Sequence, residues 1–138
     1  MDTIEKINEF IKDLNEINDK IVSFFEQKEE QTDLAIGFFL GNIYNAFSNL
    51  KMDIMLMEEN GYRLKDINGE YLSVIYLINE VAKGLSEIAH SSENDVIIGD
   101  KTSTYVLSLI ETLLSDFNDA LEYYNKLNDL KNSANNGI

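Results

Sequence analysis

Not one proline interrupts these 138 residues, and apolar side chains return at intervals of three and four along most of the chain. Proline ends helices because it lacks an N–H and its ring clashes with the preceding turn. The three–four spacing is the period of one helix face. Together they predict an all-α protein built from long helices.

Four periodic segments are separated by polar breaks. The first spans about 2–30, with Ile4, Ile7, Ile11, Leu14, Ile17 or Asn18, Ile21 and Phe25 on one face. Asp2 or Thr3 can cap its start, and Asp2 with Glu5 resembles a capping box. After Gln31-Thr32-Asp33 the second segment runs over about 33–60, with Thr32 as N-cap. Its stripe is Ile36, Phe39, Ile43, Phe47, Leu50, Ile54 and Met57. Leu34, Phe38, Leu40 and Tyr44 widen that stripe, so this helix is expected to be the most buried. Gly61 suits the left-handed position that ends it.

The third segment is expected over 69–90, capped by Asn68. Leu72, Ile75, Ile78 and Leu85 lie on one face, and Tyr71, Val74, Leu77 and Val81 on another. Ser91–Lys101 reads as the longest loop and holds an apolar, β-prone patch, Val96-Ile97-Ile98-Gly99. The fourth segment spans 102–131, with Val106, Ile110, Leu113, Phe117, Ala120, Tyr124 and Leu127 among the inward residues. Residues 132–138 read as a frayed tail on a single domain of 1–131. Short connections favour antiparallel neighbours, so the expected architecture is an antiparallel four-helix bundle. A dimer of two hairpins sharing one core is the structural alternative.

Charge narrows the partners. Lys+Arg is 11 against Asp+Glu 25, a net charge of -14. Such a surface repels nucleic-acid phosphates and anionic membranes and attracts basic proteins. No apolar run approaches the roughly 20 residues of a membrane span. No continuous apolar stretch follows the first residues, so no signal peptide is expected and the location is read as cytoplasmic. Without cysteine, disulfides and thiolate metal sites are excluded.

The residues that could carry chemistry are few. His90 is the only histidine. Glu87-Ile88-Ala89-His90 has the Glu-x-x-His spacing that places two ligands on one helix face, but a two-metal bundle site takes two such motifs. Histidine phosphotransfer is a further reading of His90. Such domains usually follow their histidine with a basic residue and a glycine, where Ser91-Ser92-Glu93 here brings a carboxylate that would repel a phosphohistidine. No Walker loop or Gly-x-Gly-x-x-Gly is present, and His90 has no visible Ser–His–Asp context. No enzyme activity, metal or cofactor is therefore expected.

Two other features stand out. Gly37 and Gly41 sit four apart inside the second helix, where each costs about 1 kcal/mol against alanine. Their shared face invites close approach of another backbone, and packing within the chain is preferred here over a partner groove. The second feature is acidic. Asp2, Glu5, Glu9, Asp13 or Lys12, Glu16 and Asp19 share one helical face of the first segment, although Lys6, Lys12, Lys20 and Lys28 interrupt that segment. Asp116, Asp119, Glu122 and Asp129 do the same in the fourth, and Glu93 and Asp95 lie between helices.

The functional expectation is a non-enzymatic acidic protein-binding module. Its most specific form is a small stoichiometric inhibitor, of phage anti-defence or toxin-immunity type, that blocks a basic site on a protein partner. Its docking carboxylates would be Glu5, Glu9, Glu16, Asp19, Glu93, Asp95, Asp116, Asp119 and Glu122, set out like a row of phosphates. A structural or secreted helical-bundle protein is the first alternative and phosphotransfer through His90 the second. A homodimer is among the partner expectations.

Overall fold

The computed structural model describes residues 2–27, 30–89 and 96–136. Four helices account for nearly all of them: α1 (Thr3–Gln27), α2 (Asp33–Glu59), α3 (Val74–Ala89) and α4 (Val96–Asn136). Each packs on two others, in the ring α1–α2–α3–α4–α1, and among the described residues the diagonal pairs do not meet. Phe24 stacks on Phe39 near one end of the α1–α2 pair, while Asp13 and Asp53 face one another farther along. That is an antiparallel register, and the fold is the expected four-helix bundle.

Local chemistry sets the helix ends. The Glu5 N–H donates to the Asp2 carboxylate at 2.8 Å, so Asp2 caps α1. The Ala35 N–H donates to Thr32 Oγ1 at 3.1 Å and starts α2. At its far end the Gly61 N–H bonds the Glu58 carbonyl and the Tyr62 N–H bonds the Met57 carbonyl. With Gly61 at φ 92, this pair of bonds is the Schellman motif, which satisfies carbonyls that a helix end leaves open.

The core is apolar throughout. Ile7, Phe10, Leu14, Ile17 and Ile21 enter it from α1, and Ile43, Phe47, Leu50 and Ile54 from α2. Val74, Ile78, Val81 and Leu85 come from α3, and Val106, Ile110, Leu113, Phe117 and Ala120 from α4. Phe10 and Phe117 meet at 5.8 Å between ring centres across α1 and α4. Among the described residues no polar or charged side chain is buried.

Four expectations need correction. Helix α3 begins at Val74, not Gly69. Residues 64–72 form a miniature hairpin instead, bridged between Lys65 and Tyr71. The Asp66 carboxylate accepts the N–H groups of Asn68 and Glu70, and Gly69 takes the left-handed conformation at φ 81. A turn of this kind competes successfully with a helix start. Its Leu64 is buried against the bundle end.

Helix α4 begins at Val96, within the expected Ser91–Lys101 loop, so the Val96–Gly99 patch is helical. It continues to Asn136, through most of the expected tail. Once nucleated, a helix gains one hydrogen bond per added residue, which outweighs the small propensity penalty of β-branched side chains. At 41 residues it is about 60 Å long. Its last turns outrun the bundle and leave Leu127 and Leu130 exposed.

Helix α2 is not the most buried. Leu34 is 72% exposed, Phe38 66% and Met52 61%. In a ring of four, each helix is covered on the sides that meet two neighbours, and an apolar outer face stays bare.

Nor do Gly37 and Gly41 serve packing within the chain: a β-carbon at either would meet nothing within 4 Å. The close approach is at Gly84, where a β-carbon would lie 2.6 Å from Val106 Cγ2.

Candidate functional site

The acidic residues sort into two groups. On α1 the buried positions Ile7, Phe10, Leu14, Ile17, Ile21 and Phe24 turn one face inward. The opposite face then carries Asp2, Glu5, Glu9, Lys12, Glu16, Asp19 and Glu26, all exposed. Rise alone spreads Glu5 to Glu26 over about 30 Å. Of the lysines expected to interrupt this face, Lys12 stands within it and the exposed Lys20, five whole turns from Asp2, lies at the edge that Asp2 occupies. Lys6 lies toward the flank, and Lys28 is outside the described residues. Four of the nine expected docking carboxylates, Glu5, Glu9, Glu16 and Asp19, are therefore brought into one row.

Asp13 marks the edge of that row toward α2. Burial pushes its carboxyl above the usual range, and Glu16, Glu9 and Asp53 add to the rise against the opposing pull of Lys12.

The α4 carboxylates belong elsewhere. Asp116 and Asp119 are partly buried and Glu122 is exposed. Burial raises the Asp116 carboxyl first, then the charges of Asp119 and Asp66. This group faces the connector hairpin at the bundle end and does not extend the α1 row. Glu93 and Asp95, with His90, lie outside the described residues.

Beside that group is a cluster that residue spacing did not reveal. Tyr62, Tyr71, Tyr123 and Tyr124 converge on Arg63 and Lys65. The Arg63 guanidinium lies 3.9 Å from the centre of the Tyr71 ring, and Lys65 Nζ sits near the rings of Tyr71 and Tyr123. The Tyr124 hydroxyl donates to the Arg63 carbonyl at 2.6 Å. Burial, then Tyr123, Tyr62 and Glu58, pushes the Tyr124 phenol up to about 12. This arrangement pins the connector to α4. The Asp-x-Asn-Gly turn was the available sequence signal for the hairpin, but the meeting of distant tyrosines had none.

A groove of about 550 Å³ opens between α1 and α2. Phe24 and Phe39 are stacked at its floor, 4.0 Å apart and within 4° of parallel. Its walls hold Lys20, Gln27, Gln31, Asn42, Asn49 and, at the rim toward the outer face of α2, Asn45, and no carboxylate. Among the described residues no set of three or more His, Cys, Asp or Glu side chains could hold a metal ion. No described helix is long and apolar enough to cross a membrane.

No family model matches this chain, and neither a curated protein nor a solved structure shows significant similarity to it.

Proposed function

We propose that this protein is a non-enzymatic, acidic protein-binding module that docks through the outer face of α1 on a basic surface of a partner protein. One observation carries this reading: Glu5, Glu9, Glu16 and Asp19 stand exposed in one row on a rigid helix, joined by Asp2 and Glu26, with Lys12 within the row and Lys20 at the edge it shares with Asp2. A helix that is held in place by a packed core presents charge with little ordering cost on binding. The net charge of -14 steers a basic partner toward it and speeds association at low salt.

In its most specific form the module is a cytoplasmic stoichiometric inhibitor, of phage anti-defence or toxin-immunity type, whose row imitates nucleic-acid phosphates. The test is capture of the partner followed by binding kinetics. Wild type is expected to bind a basic protein with an association rate that falls steeply as salt rises. Glu9→Lys/Glu16→Lys/Asp19→Lys should lose that partner while keeping its helical circular dichroism. Binding that ignores both salt and charge reversal would sink the proposal.

A further inference from the structure

Helix α2 carries an outward stripe that the bundle does not use. Its buried positions are Leu40, Ile43, Phe47, Leu50, Ile54 and Met57. On the opposite side, at alternating steps of three and four, come Leu34, Phe38, Gly41, Asn45, Ser48, Met52 and Met55, with Leu56 alongside. Leu34, Phe38, Met52, Met55 and Leu56 are each at least half exposed. Together they leave on the order of 500 Å² of apolar surface uncovered, divided between Leu34 and Phe38 at one end and Met52, Met55 and Leu56 at the other, with Gly41, Asn45 and Ser48 between them. The register fixed by the Lys51–Asn79 hydrogen bond between α2 and α3 puts Tyr76, also exposed, level with Met55.

Three features say what covers it. The first is the order of residues. Leu34 and Leu56 lie equally far from Asn45 along the helix, and so do Phe38 and Met52. A two-fold axis through Asn45 therefore sets Leu34 of one copy on Leu56 of the other and Phe38 on Met52, apolar on apolar at both ends. The second is size. Gly41 is exposed with nothing over it, and it sits beside the midpoint, where two helices must come closest. The third is charge. Between Asp33 and Asp53 the helix bears one charge, Lys51, and its ammonium is turned aside to Asn79. In a chain that is 26% charged, this is a neutral strip about 30 Å long. At the ends of this strip Asp33 of one copy stands level with Met57 of the other, beside its Glu58 and Glu59, so association is opposed at low salt and favoured once salt screens those charges.

We infer that the outer face of α2 is the interface of an antiparallel homodimer, with Asn45 on its two-fold axis. The pair is isologous: each contact occurs twice, as closed two-fold symmetry demands. Asn45 meets its own copy, and a polar pair on the axis penalises shifted registers. The two acidic α1 rows remain uncovered. This inference does not depend on what those rows bind, and salt acts on the two surfaces in opposite directions. Docking on a basic partner weakens as salt rises, whereas like-charged copies associate more tightly.

The experiment is light scattering and sedimentation of the intact purified chain between about 50 mM and about 500 mM salt. The expected result is twice the chain mass, with the dimer favoured at the higher salt. Phe38→Glu places a carboxylate in the apolar strip and should weaken association by about 100-fold. Its helical circular dichroism should not change, because Phe38 makes no core contact. Phe38→Glu/Met52→Lys pairs opposite charges across the interface and should restore the dimer. As the chain has no native cysteine, Asn45→Cys should form an intermolecular disulfide on mild oxidation, and Asn15→Cys on the exposed side of α1 should not. A chain that stays monomeric throughout, a dimer that survives Phe38→Glu, or a double variant that remains monomeric would each overturn the inference.

Discussion

Gly84 of α3 lies so close to Val106 of α4 that a β-carbon on it would stand 2.6 Å from Val106 Cγ2. Both residues are buried, and Val106 is branched at Cβ, so neither helix can yield without moving the backbone. This contact sets how closely the two helices approach.

Gly84→Ala should therefore destabilise the fold even though alanine is the better helix former. Overpacking costs about 1–3 kcal/mol, offset by about 1 kcal/mol of propensity. Gly37→Ala meets no neighbour and should stabilise by about 0.4–1 kcal/mol. Urea denaturation of the two variants should move in opposite directions from wild type. A neutral or stabilising Gly84→Ala would show that the helices are not locked there.

Stability should rise as the pH falls from neutrality into the carboxylate range. Burial, Asp119 and Asp66 raise the Asp116 carboxyl above its free value, and burial with Glu16 and Glu9 does the same at Asp13. A raised pKa means that the folded state binds the proton more tightly than the unfolded one. The associated stability is present at low pH and lost as pH climbs through the folded pKa. Asp116→Asn should raise the melting temperature at neutral pH and reduce its gain on acidification to about pH 5. Melting curves at the two pH values check both. A variant less stable than wild type at neutral pH would contradict the assignment.

Tyr124 should be among the last tyrosines to ionise. Its phenol is pushed up to about 12 from a free value of about 10. The fold thus favours the neutral phenol, and that contribution holds below the free pKa and disappears as pH rises toward the folded one. Spectrophotometric titration should show a late-ionising fraction that Tyr124→Phe removes. The same variant loses the hydrogen bond to the Arg63 carbonyl and should cost about 1 kcal/mol. An unchanged titration curve would mean that the ring is not held at the connector.

The parts of the fold legible in sequence are those that depend on neighbours a few residues away. Asp2, Thr32 and Gly61 are recognisable as helix ends from their neighbours and close helices in the structure, because a cap needs only the backbone groups within one turn. The spacing of Ile7, Leu14 and Ile21 marks them as core residues, and they are buried, because α1 has polar residues all along its other side. The exposed carboxylates of α1 follow from that same division.

Helix α2 lacks such a division. Leu34 and Phe38 are as apolar as Phe47, and nothing local separates the pair that is bare from the residue that is buried. Only the placement of α1 and α3 chooses the inner face. The glycines show the same limit. Gly37, Gly41 and Gly84 look alike in a helical stretch, and the contact with Val106 sets Gly84 apart.

By itself, then, the sequence determined the helical class, three helix termini and the acidic row on α1, since all of these follow from spacing along one chain. The tertiary structure decided which face of α2 stays open, which glycine is required, and that Asp116 joins Asp66 and not the α1 row. Each of those is settled by the distance between residues remote in sequence, which side-chain periodicity does not encode.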